Sequence, residues 1–553
     1  MLMYSDFYVF DIESNNWIEI YSLNYFDGSN VVIDKEVRKN NDAYIKHFLD
    51  NAPEGTYYAH NGGNYDFLFV VDFCMNNRIT ISNMVIIHGR IGIFKIVYGI
   101  KEFIFKDSYL ILPHSLKSLT VSFDVPHKKL ELDYDIGIKD KRFDSYITND
   151  IMGLVEVLNA SGLTEKLTIG SNSMHEFLNN FYLKKYSKIS NNVHKYDKFF
   201  RLSYYGGRVE LFKPYGIDIN HYDINSLYPY VMHEYEYPLI EKNNFELVEH
   251  YYKNKLGIYY CNITIPKDTQ IPLLPYRMNK LIFPTGKFNG VYTSAEIEKS
   301  LKLGYKIKVN SGAVFHDTDY IFKDFIEKYY DIKKNSIGAK RYIAKLFLNS
   351  LYGKFGQHSR IKEYRLVRLE DIKDSKAHKY TNGYALISSD KFRNRDFIHS
   401  EIASFITSYA RLTLYSYIEK CGFDNVYYCD TDSVFTSKTL NTSEDLGAMK
   451  LESEIKEFIG IGSKLYAYKN KKDSVIIAAK GFNVNQLSYD SFKNALNGQI
   501  SSINSNTNTV QRFKNAFMKH GKMACTTNIT RILKSKYDKR VINGNSTVPI
   551  YLS

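Results

Sequence analysis

An apolar run at residues 7 to 10, FYVF, leads straight into Asp11-Ile12-Glu13. Side chains two apart on a strand point to the same side, so the two carboxylates converge at one strand end. Like charges held there repel unless a cation lies between them, which constrains what the rest of the chain has to supply. Taken alone, an acidic strand end is commonplace and solvated. The first 190 residues alternate strand-like runs (MVIIHG at 84 to 89, IGIFKIVYGI at 91 to 100) with helix-like stretches such as DIMGLVEVLNA at 150 to 160. That alternation predicts an α/β domain.

Two later segments offer partners. HNGGNYD at 60 to 66 carries His60 and Asn61, which can reach a base or phosphate, a Gly62-Gly63 turn, then Tyr65 and Asp66. YITND places Tyr146 and Asp150 four apart, on one face of a helix that includes both. Asp11, Glu13, Asp66 and Asp150 together suit two divalent cations on hard oxygen ligands, one activating water and one stabilising a leaving 3′ oxygen. In this order the segments resemble the DxE, Nx2-3(F/Y)D and Yx3D motifs of DnaQ-like (RNase H-like) 3′–5′ proofreading exonucleases. The resemblance implies Asp11, Glu13, Asp66 and Asp150 as metal ligands. It also implies Tyr146 as the group orienting the attacking water, and Asn61 and Tyr65 as holders of a frayed primer end.

A second set of acids lies further on. YYCDTDSV at 427 to 434 reads as a tight hairpin presenting Asp430, Thr431 and Asp432 at its tip, and HYDINSLYP at 221 to 229 places Asp223 after a short apolar stretch. Metals bridging Asp223 and Asp432 suit phosphoryl transfer. Between them, KKNSIGAKRYIAKLFLNSLYG predicts one long helix over 333 to 353, ended by Gly353 where backbone can approach DNA. Arg341, Lys345, Asn349 and Tyr352 share a face of it, with Lys333 upstream, and such a stripe suits a triphosphate followed by a base. Residues 200 to 260 and 400 to 435 read as strand-rich, and the tail after about 490 carries little signal.

These segments resemble motifs A (DxxSLYP), B (Kx3NSxYG) and C (DTD) of family-B DNA polymerases. The resemblance implies Asp223 and Asp432 as metal ligands and Asp430 as a neighbouring catalytic carboxylate. It implies Lys345 and Arg341, with Lys333, on the triphosphate, Asn349 and Tyr352 on the nascent pair, and Tyr228 as the ring excluding a ribose 2′ hydroxyl. Tyr204-Tyr205-Gly206-Gly207 is similar to the YxGG element of the protein-primed branch, which copies linear genomes of small phages and linear plasmids. Intervals of 122 residues from Asp223 to Lys345 and 85 from Lys345 to Asp430 leave room for that branch's two insertions. Ser115-Leu116 resembles a single-strand-binding motif, and Lys129, five before Tyr134, a lysine that assists the exonuclease. Thr407 and Arg411 resemble template or primer contacts. Lys480 resembles the lysine of a KxY element gripping the primer terminus, with Phe482 in place of the tyrosine.

The expected architecture is α/β and α+β multidomain: a DnaQ-like exonuclease followed by a right-hand palm, fingers and thumb with insertions. Exonuclease is assigned to 1–190, the first part of the palm to 191–255, and a terminal-protein-region insertion to 256–330. Fingers follow at 331–356, a strand-displacement insertion at 357–399, the second part of the palm at 400–489, and a thumb at 490–553 by position alone. The expected activity is DNA-directed DNA polymerisation, protein-primed and strand-displacing, with 3′–5′ proofreading and two Mg2+ (or Mn2+) per active site. Expected partners are primer-template and single-stranded DNA, dNTPs and a terminal protein, the chain acting as a monomer or a heterodimer with that protein. The alternatives are a nucleic-acid-primed family-B polymerase and, from a different class, a non-catalytic single-strand DNA-binding replication protein.

Composition agrees with a nucleic-acid partner without requiring one. A net charge of +13 with 15% aromatic residues suits phosphates and stacked bases, and a basic Tyr-rich globule has the same composition. No apolar run has the length of a membrane span, and the five scattered cysteines lack CxxC spacing, which suits a reducing compartment. The expected location is host-cell cytoplasm, with a mitochondrial plasmid origin as the alternative.

Overall fold

The computed structural model describes residues 6–15, 18–131, 139–186, 196–241, 244–358, 360–372, 378–381, 383–392, 398–511, 513 and 525–553; Tyr134 lies outside them. The amino-terminal sheet has seven strands, in the order Val31–Asp34, Glu19–Phe26, Tyr8–Asn15, Gly55–Ala59, Lys101–Asp107, Arg90–Tyr98 and Ile81–Ile87. Tyr8–Asn15 runs parallel to Gly55–Ala59, which runs parallel to Lys101–Asp107, while the remaining neighbours are antiparallel. Strand alternation divides its side chains. Phe10 and Ile12 enter one core with Phe48, Phe67 and Phe105, whereas Val9 enters another with Ile147, Ile151 and Leu154 of the helix Phe143–Ser161. Asp11 and Glu13 share Val9's side and therefore face that helix.

A second seven-stranded sheet, antiparallel throughout, is ordered Val475–Ala479, Leu465–Asn470, Met449–Gly462, Tyr215–Ile224, Ser433–Thr436, Val426–Asp430 and Val209–Leu211. In sequence between Tyr215–Ile224 and the helix Lys323–Asn335 comes most of a five-stranded sheet, built from Phe245–Val248, Lys306–Phe315, Gly257–Ile265 and Thr285–Thr293, with Tyr551–Leu552 added at its edge. A three-stranded sheet follows, from Arg360–Arg368, Tyr384–Phe392 and His378–Thr381; its Tyr364, Leu366, Tyr384 and Leu386 share the core that holds Phe10 and Ile12 of the amino-terminal sheet, as does Phe513. No helix among the described residues is long and apolar enough to cross a membrane.

Two expected elements differ. Residues 400 to 421, read as strand-rich, form one 22-residue helix, Ser400–Cys421. It is buried on nearly every side, so it needs no amphipathic period, and its Ile, Thr, Phe and Tyr imitate a strand. The single helix expected over 333–353 is two, Lys323–Asn335 and Gly338–Ser350, with Lys333 on the first. Ser336 and Ile337 are extended and Gly338 has φ +59°, a left-handed conformation open to glycine. Gly353 lies within the short helix Tyr352–Phe355 rather than ending one, and space beside it is open.

Candidate active sites

The first site is built where Tyr8–Asn15 meets Phe143–Ser161. One carboxylate oxygen from each of Asp11, Glu13 and Asp150 falls within 4.8 Å of the others. Asp66 opens the helix Asp66–Asn76, and its Oδ1 accepts the Ile12 backbone N–H at 3.0 Å, which locks it beside the pair. Burial, then Asp150, raises Asp11 to about 6, against the pull of Lys129. Burial, then Asp11 and Asp150, raises Glu13 to about 8, with Lys129 and the Tyr146 hydroxyl opposing. Burial also raises Asp66 and Asp150. Lys129 forms an ion pair with Asp150 and lies 3.4 Å from the Tyr146 hydroxyl. Asp150 Oδ1 is buried without a hydrogen-bond partner. Crowded, proton-retaining carboxyls and an orphaned buried oxygen fit a divalent cation on hard ligands.

Beside these acids, Tyr65 hydrogen-bonds Ser14 Oγ at 2.7 Å. Asn61 adopts φ +66°, and its Oδ1 accepts from Arg90 Nη1 and Asn64 Nδ2, both at 2.9 Å. Asn61's amide nitrogen is thereby turned away from these donors. His60 does not stand ready for a base or phosphate. Its Nδ1 lies 3.0 Å from Ser108 Oγ and its Nε2 2.7 Å from the His114 carbonyl, and burial holds it down at about 4, so it is a neutral structural ring. Ser115 caps the helix Leu116–Ser122 from an exposed position, whereas Leu116 is in the core.

The second site lies at one end of the central strands of the second seven-stranded sheet. Ser433 is opposite Asp223, and the Ile224 N–H donates to the Asp432 carbonyl at 2.7 Å, which brings the two acidic turns together. Burial, then Asp432 and Glu452, raises Asp223 to about 7; burial raises Asp432. The hairpin turns at Thr431, which adopts φ +60° between the strands Val426–Asp430 and Ser433–Thr436, so Asp430 and Asp432 do not lie on one strand. Asp430 pairs with Lys464 Nζ at 2.9 Å and accepts from the Tyr428 hydroxyl at 3.3 Å. Asp223 and Asp432 are close enough to interact, and two such hard-ligand carboxylates fit a divalent cation.

Around this pair, Tyr228 in the first turn of Leu227–Glu234 stacks on Tyr352, with ring centroids 4.2 Å apart. Lys333 Nζ donates to Ser226 Oγ at 2.8 Å. Burial lowers the Lys333 ammonium, followed by Lys345, Arg341 and Lys450, so four cations converge although they come from three elements. Arg341, Lys345 and Asn349 are exposed on Gly338–Ser350. Gly207 packs so tightly on Thr431 that a Cβ there would lie 2.8 Å from its methyl group, whereas space at Gly206 is open. Tyr204 covers Gly356 in the same way.

Arg411 and Thr407 are 3% exposed, which corrects their expected role as DNA contacts. Arg411 Nη2 donates to Glu296 at 2.7 Å and Nη1 to the Tyr205 and Gly206 carbonyls, so it holds the YxGG turn from inside. Thr407 returns its hydroxyl to the Ala403 and Ser404 carbonyls of its own helix. A K-x-Y sequence also occurs at Lys464-Leu465-Tyr466, and it is Lys464 that pairs with Asp430. Lys480 is nearby, exposed, in a cavity of about 310 Å³ lined also by Lys280, Lys464, Lys536, Asp538 and Lys539.

Comparison with known proteins follows this geometry. A family model for DNA polymerase type B, organellar and viral, matches residues 51–156 and 145–445. A probable DNA polymerase of Podospora anserina is 28% identical over 522 residues, 74% of this chain and 42% of the relative. One of Neurospora intermedia is 31% identical over 352 residues, 57% of this chain and 36% of the relative, so the chain spans less than half the length of these fungal relatives. The DNA polymerase of Bacillus phage phi29 is 28% identical over 400 residues, 67% of this chain and 64% of that protein. A solved structure of phi29 DNA polymerase with primer-template DNA matches with TM-score 0.75 and 22% identity, over 96% of this chain and all of that chain, so the two share a fold.

Proposed function

The chain belongs to the organellar and viral type B DNA polymerases, and from that premise we propose that it is a DNA-directed DNA polymerase with a separate 3′–5′ exonuclease site. The observation that carries the reading is a pair of separate carboxylate sets, Asp223 with Asp432 at the second seven-stranded sheet, and Asp11 with Glu13 on the amino-terminal sheet joined by Asp66 and Asp150 from the helices packed beside it. Divalent ions bound at these sites, Mg2+ or Mn2+, supply positive charge that offsets phosphate and lowers the cost of forming an oxyanion.

The chain's own groups do the rest. Asp223 and Asp432 fix where the reacting phosphate sits; Lys333, Arg341 and Lys345 draw in the triphosphate, and Asn349 lies next along that face. Tyr228, braced by Tyr352, occupies the space a ribose 2′ hydroxyl would need. Asp430, fixed by Lys464, stays beside Asp432, where it would add negative charge next to a bound cation. In the exonuclease, Tyr146 and Lys129 orient a water near Asp150, and Asn61 and Tyr65 hold the strand end. The lysine-lined cavity beside Asp430 supports a path for the primer backbone.

Protein priming is the finer part of the proposal, with a terminal protein supplying the first hydroxyl. It is supported by YxGG packed on motif C through Gly207, and by the five-stranded sheet inserted between motif A and the fingers. The three-stranded sheet sharing the exonuclease core supports the strand-displacement role of the second insertion. The domain divisions given above are proposed on the same grounds, with the first insertion's sheet starting at Phe245 and its last strand contributed by Tyr551–Leu552.

The test uses the purified chain, Mg2+ and a labelled primer-template whose downstream strand is already paired. Extension through the duplex with dNTPs and 3′ shortening without them are expected. Binding with neither reaction, in Mg2+ or Mn2+, would overturn the enzyme reading in favour of a single-strand-binding protein.

A further inference from the structure

Strand Val209–Leu211 is only three residues long, yet it forms the edge of the palm sheet directly beside the catalytic hairpin. Asp430 is opposite Val209, Cys429 opposite Glu210 and Tyr428 opposite Leu211. So short a strand gains little from one ladder, and its other contacts decide whether it is held. Those contacts come from the C-terminal end of the chain. Lys539 Nζ donates to the Val209 carbonyl at 2.9 Å and Thr547 Oγ1 to the Leu211 carbonyl at 2.7 Å, while the Thr547 N–H donates to the Phe212 carbonyl at 2.8 Å.

The side chains repeat this connection in the interior. Arg208, Glu210 and Arg540 are 1%, 0% and 4% exposed. Arg208 Nε donates to Glu210 at 2.8 Å, and Arg540 Nη1 lies 3.6 Å from the other Glu210 oxygen, so one buried carboxylate joins two guanidinium groups. Arg208 also donates to the Pro272 carbonyl at 2.8 Å, and Arg540 to the Gln270 carbonyl and Thr547 Oγ1, each at 2.9 Å. Segments 208–212, 270–272 and 539–547 thus meet in one fully desolvated polar network, where each charge depends on the others.

The network reaches the chemistry through the backbone. The Arg208 carbonyl accepts the Thr431 N–H at 2.7 Å, and Thr431 is the left-handed residue between Asp430 and Asp432. We infer that the C-terminal segment 539–547 is a positioning element of the nucleotidyl-transfer site, acting through Arg540, Glu210 and Arg208 on the Thr431 turn. This rests on the polymerase reading and adds to it residues that touch neither nucleotide nor metal. Displacement of such a turn alters metal geometry at Asp432 more than triphosphate capture by the fingers. The exonuclease carboxylates, at another sheet, are outside its reach.

The experiment uses the full chain with Arg540→Met, Arg540→Lys and Thr547→Val, assayed for primer extension against Mg2+ concentration and for 3′ degradation of single-stranded DNA. Arg540→Met is expected to lower extension kcat about tenfold and raise the half-saturating Mg2+ several-fold, with KM for dNTP and exonuclease rate held within about twofold. Arg540→Lys should fall between, and Thr547→Val should show a weaker form of the same signature, which carries the test if Arg540→Met does not fold. Parallel loss of extension and degradation, or unchanged Mg2+ dependence in both Arg540→Met and Thr547→Val, overturns the inference. A wild-type chain that extends no primer overturns the polymerase reading itself and this inference with it.

Discussion

Lys464 Nζ lies 2.9 Å from Asp430 Oδ1, tying the first aspartate of the DTD turn to the hairpin Met449–Asn470. Asp432, the second, interacts with Asp223. Lys464→Ala should therefore reduce primer extension about tenfold or more, because a displaced catalytic carboxylate disturbs its neighbours by a fraction of an ångström. Lys480→Ala, removing an exposed lysine from the same cavity, should change it by about twofold at most. Steady-state extension at fixed salt distinguishes them; equal losses would return the KxY role to Lys480.

The two carboxylate sets are built around different sheets, so their activities should separate. Asp432→Ala should reduce nucleotide addition by about a thousandfold while 3′ degradation continues, and Asp11→Ala should do the reverse. Gel assays of both activities on one preparation of each variant make the comparison. Loss of both in each folded variant would argue against two independent sites.

Much of this was legible in the sequence because metal-site acids sit at fixed offsets from strand ends and turns. Asp11, Glu13 and Asp223 follow apolar strands, and Asp150 with Tyr146 needs only one helical turn. Less legible were side chains whose partners are distant in sequence. Arg411 reads as a cation available to DNA, and only the fold brings Glu296 and the YxGG carbonyls onto it. The helix Ser400–Cys421 lacked a readable period because it is enclosed on nearly all sides. Lys464 and Lys480 both follow the DTD turn in sequence, and only the fold shows that Lys464 is the one paired with Asp430.

Arg411 gives a third prediction. Arg411 and Glu296 are both buried, so Arg411→Ala leaves an unpaired carboxylate and should destabilise the fold by about 3 to 5 kcal/mol. Arg411→Met combined with Glu296→Gln should recover part of that loss. Urea melts measure it. The salt dependence of primer-template binding should remain unchanged in the double variant, since no phosphate contact is removed. A reduced slope would restore Arg411 as a DNA ligand.

The raised carboxyls tie metal demand to pH. Asp223 at about 7, Asp11 at about 6 and Glu13 at about 8 hold protons near neutrality that an incoming cation has to displace. The Mg2+ needed for half-maximal extension or degradation should therefore fall as pH rises from roughly 6.5 to 8. Stability in chelator should also fall as pH rises. These folded-state values exceed the ordinary 3.8 and 4.5, so the folded chain binds more protons than the unfolded one. Their contribution is complete below the unfolded values and is lost as pH rises through about 6 to 8. Melting temperature in chelator should decline over that interval and recover with Mg2+. A flat profile in chelator would show that the carboxyls ionise without penalty.

Tyr228 stacked on Tyr352 makes the last case, a choice between filling space and binding a base. If the ring's bulk excludes the ribose 2′ hydroxyl, Tyr228→Val should raise ribonucleotide incorporation relative to deoxyribonucleotide by about a hundredfold while extension with dNTPs falls far less. Tyr228→Phe keeps the ring and the stack, and should retain discrimination. Tyr352→Ala removes the brace without opening the space directly, so it should raise KM for dNTP more than it admits ribonucleotides. Competition assays with paired dNTP and rNTP on one template read all three ratios. Equal relaxation in Tyr228→Phe and Tyr228→Val would assign discrimination to the hydroxyl instead of the ring.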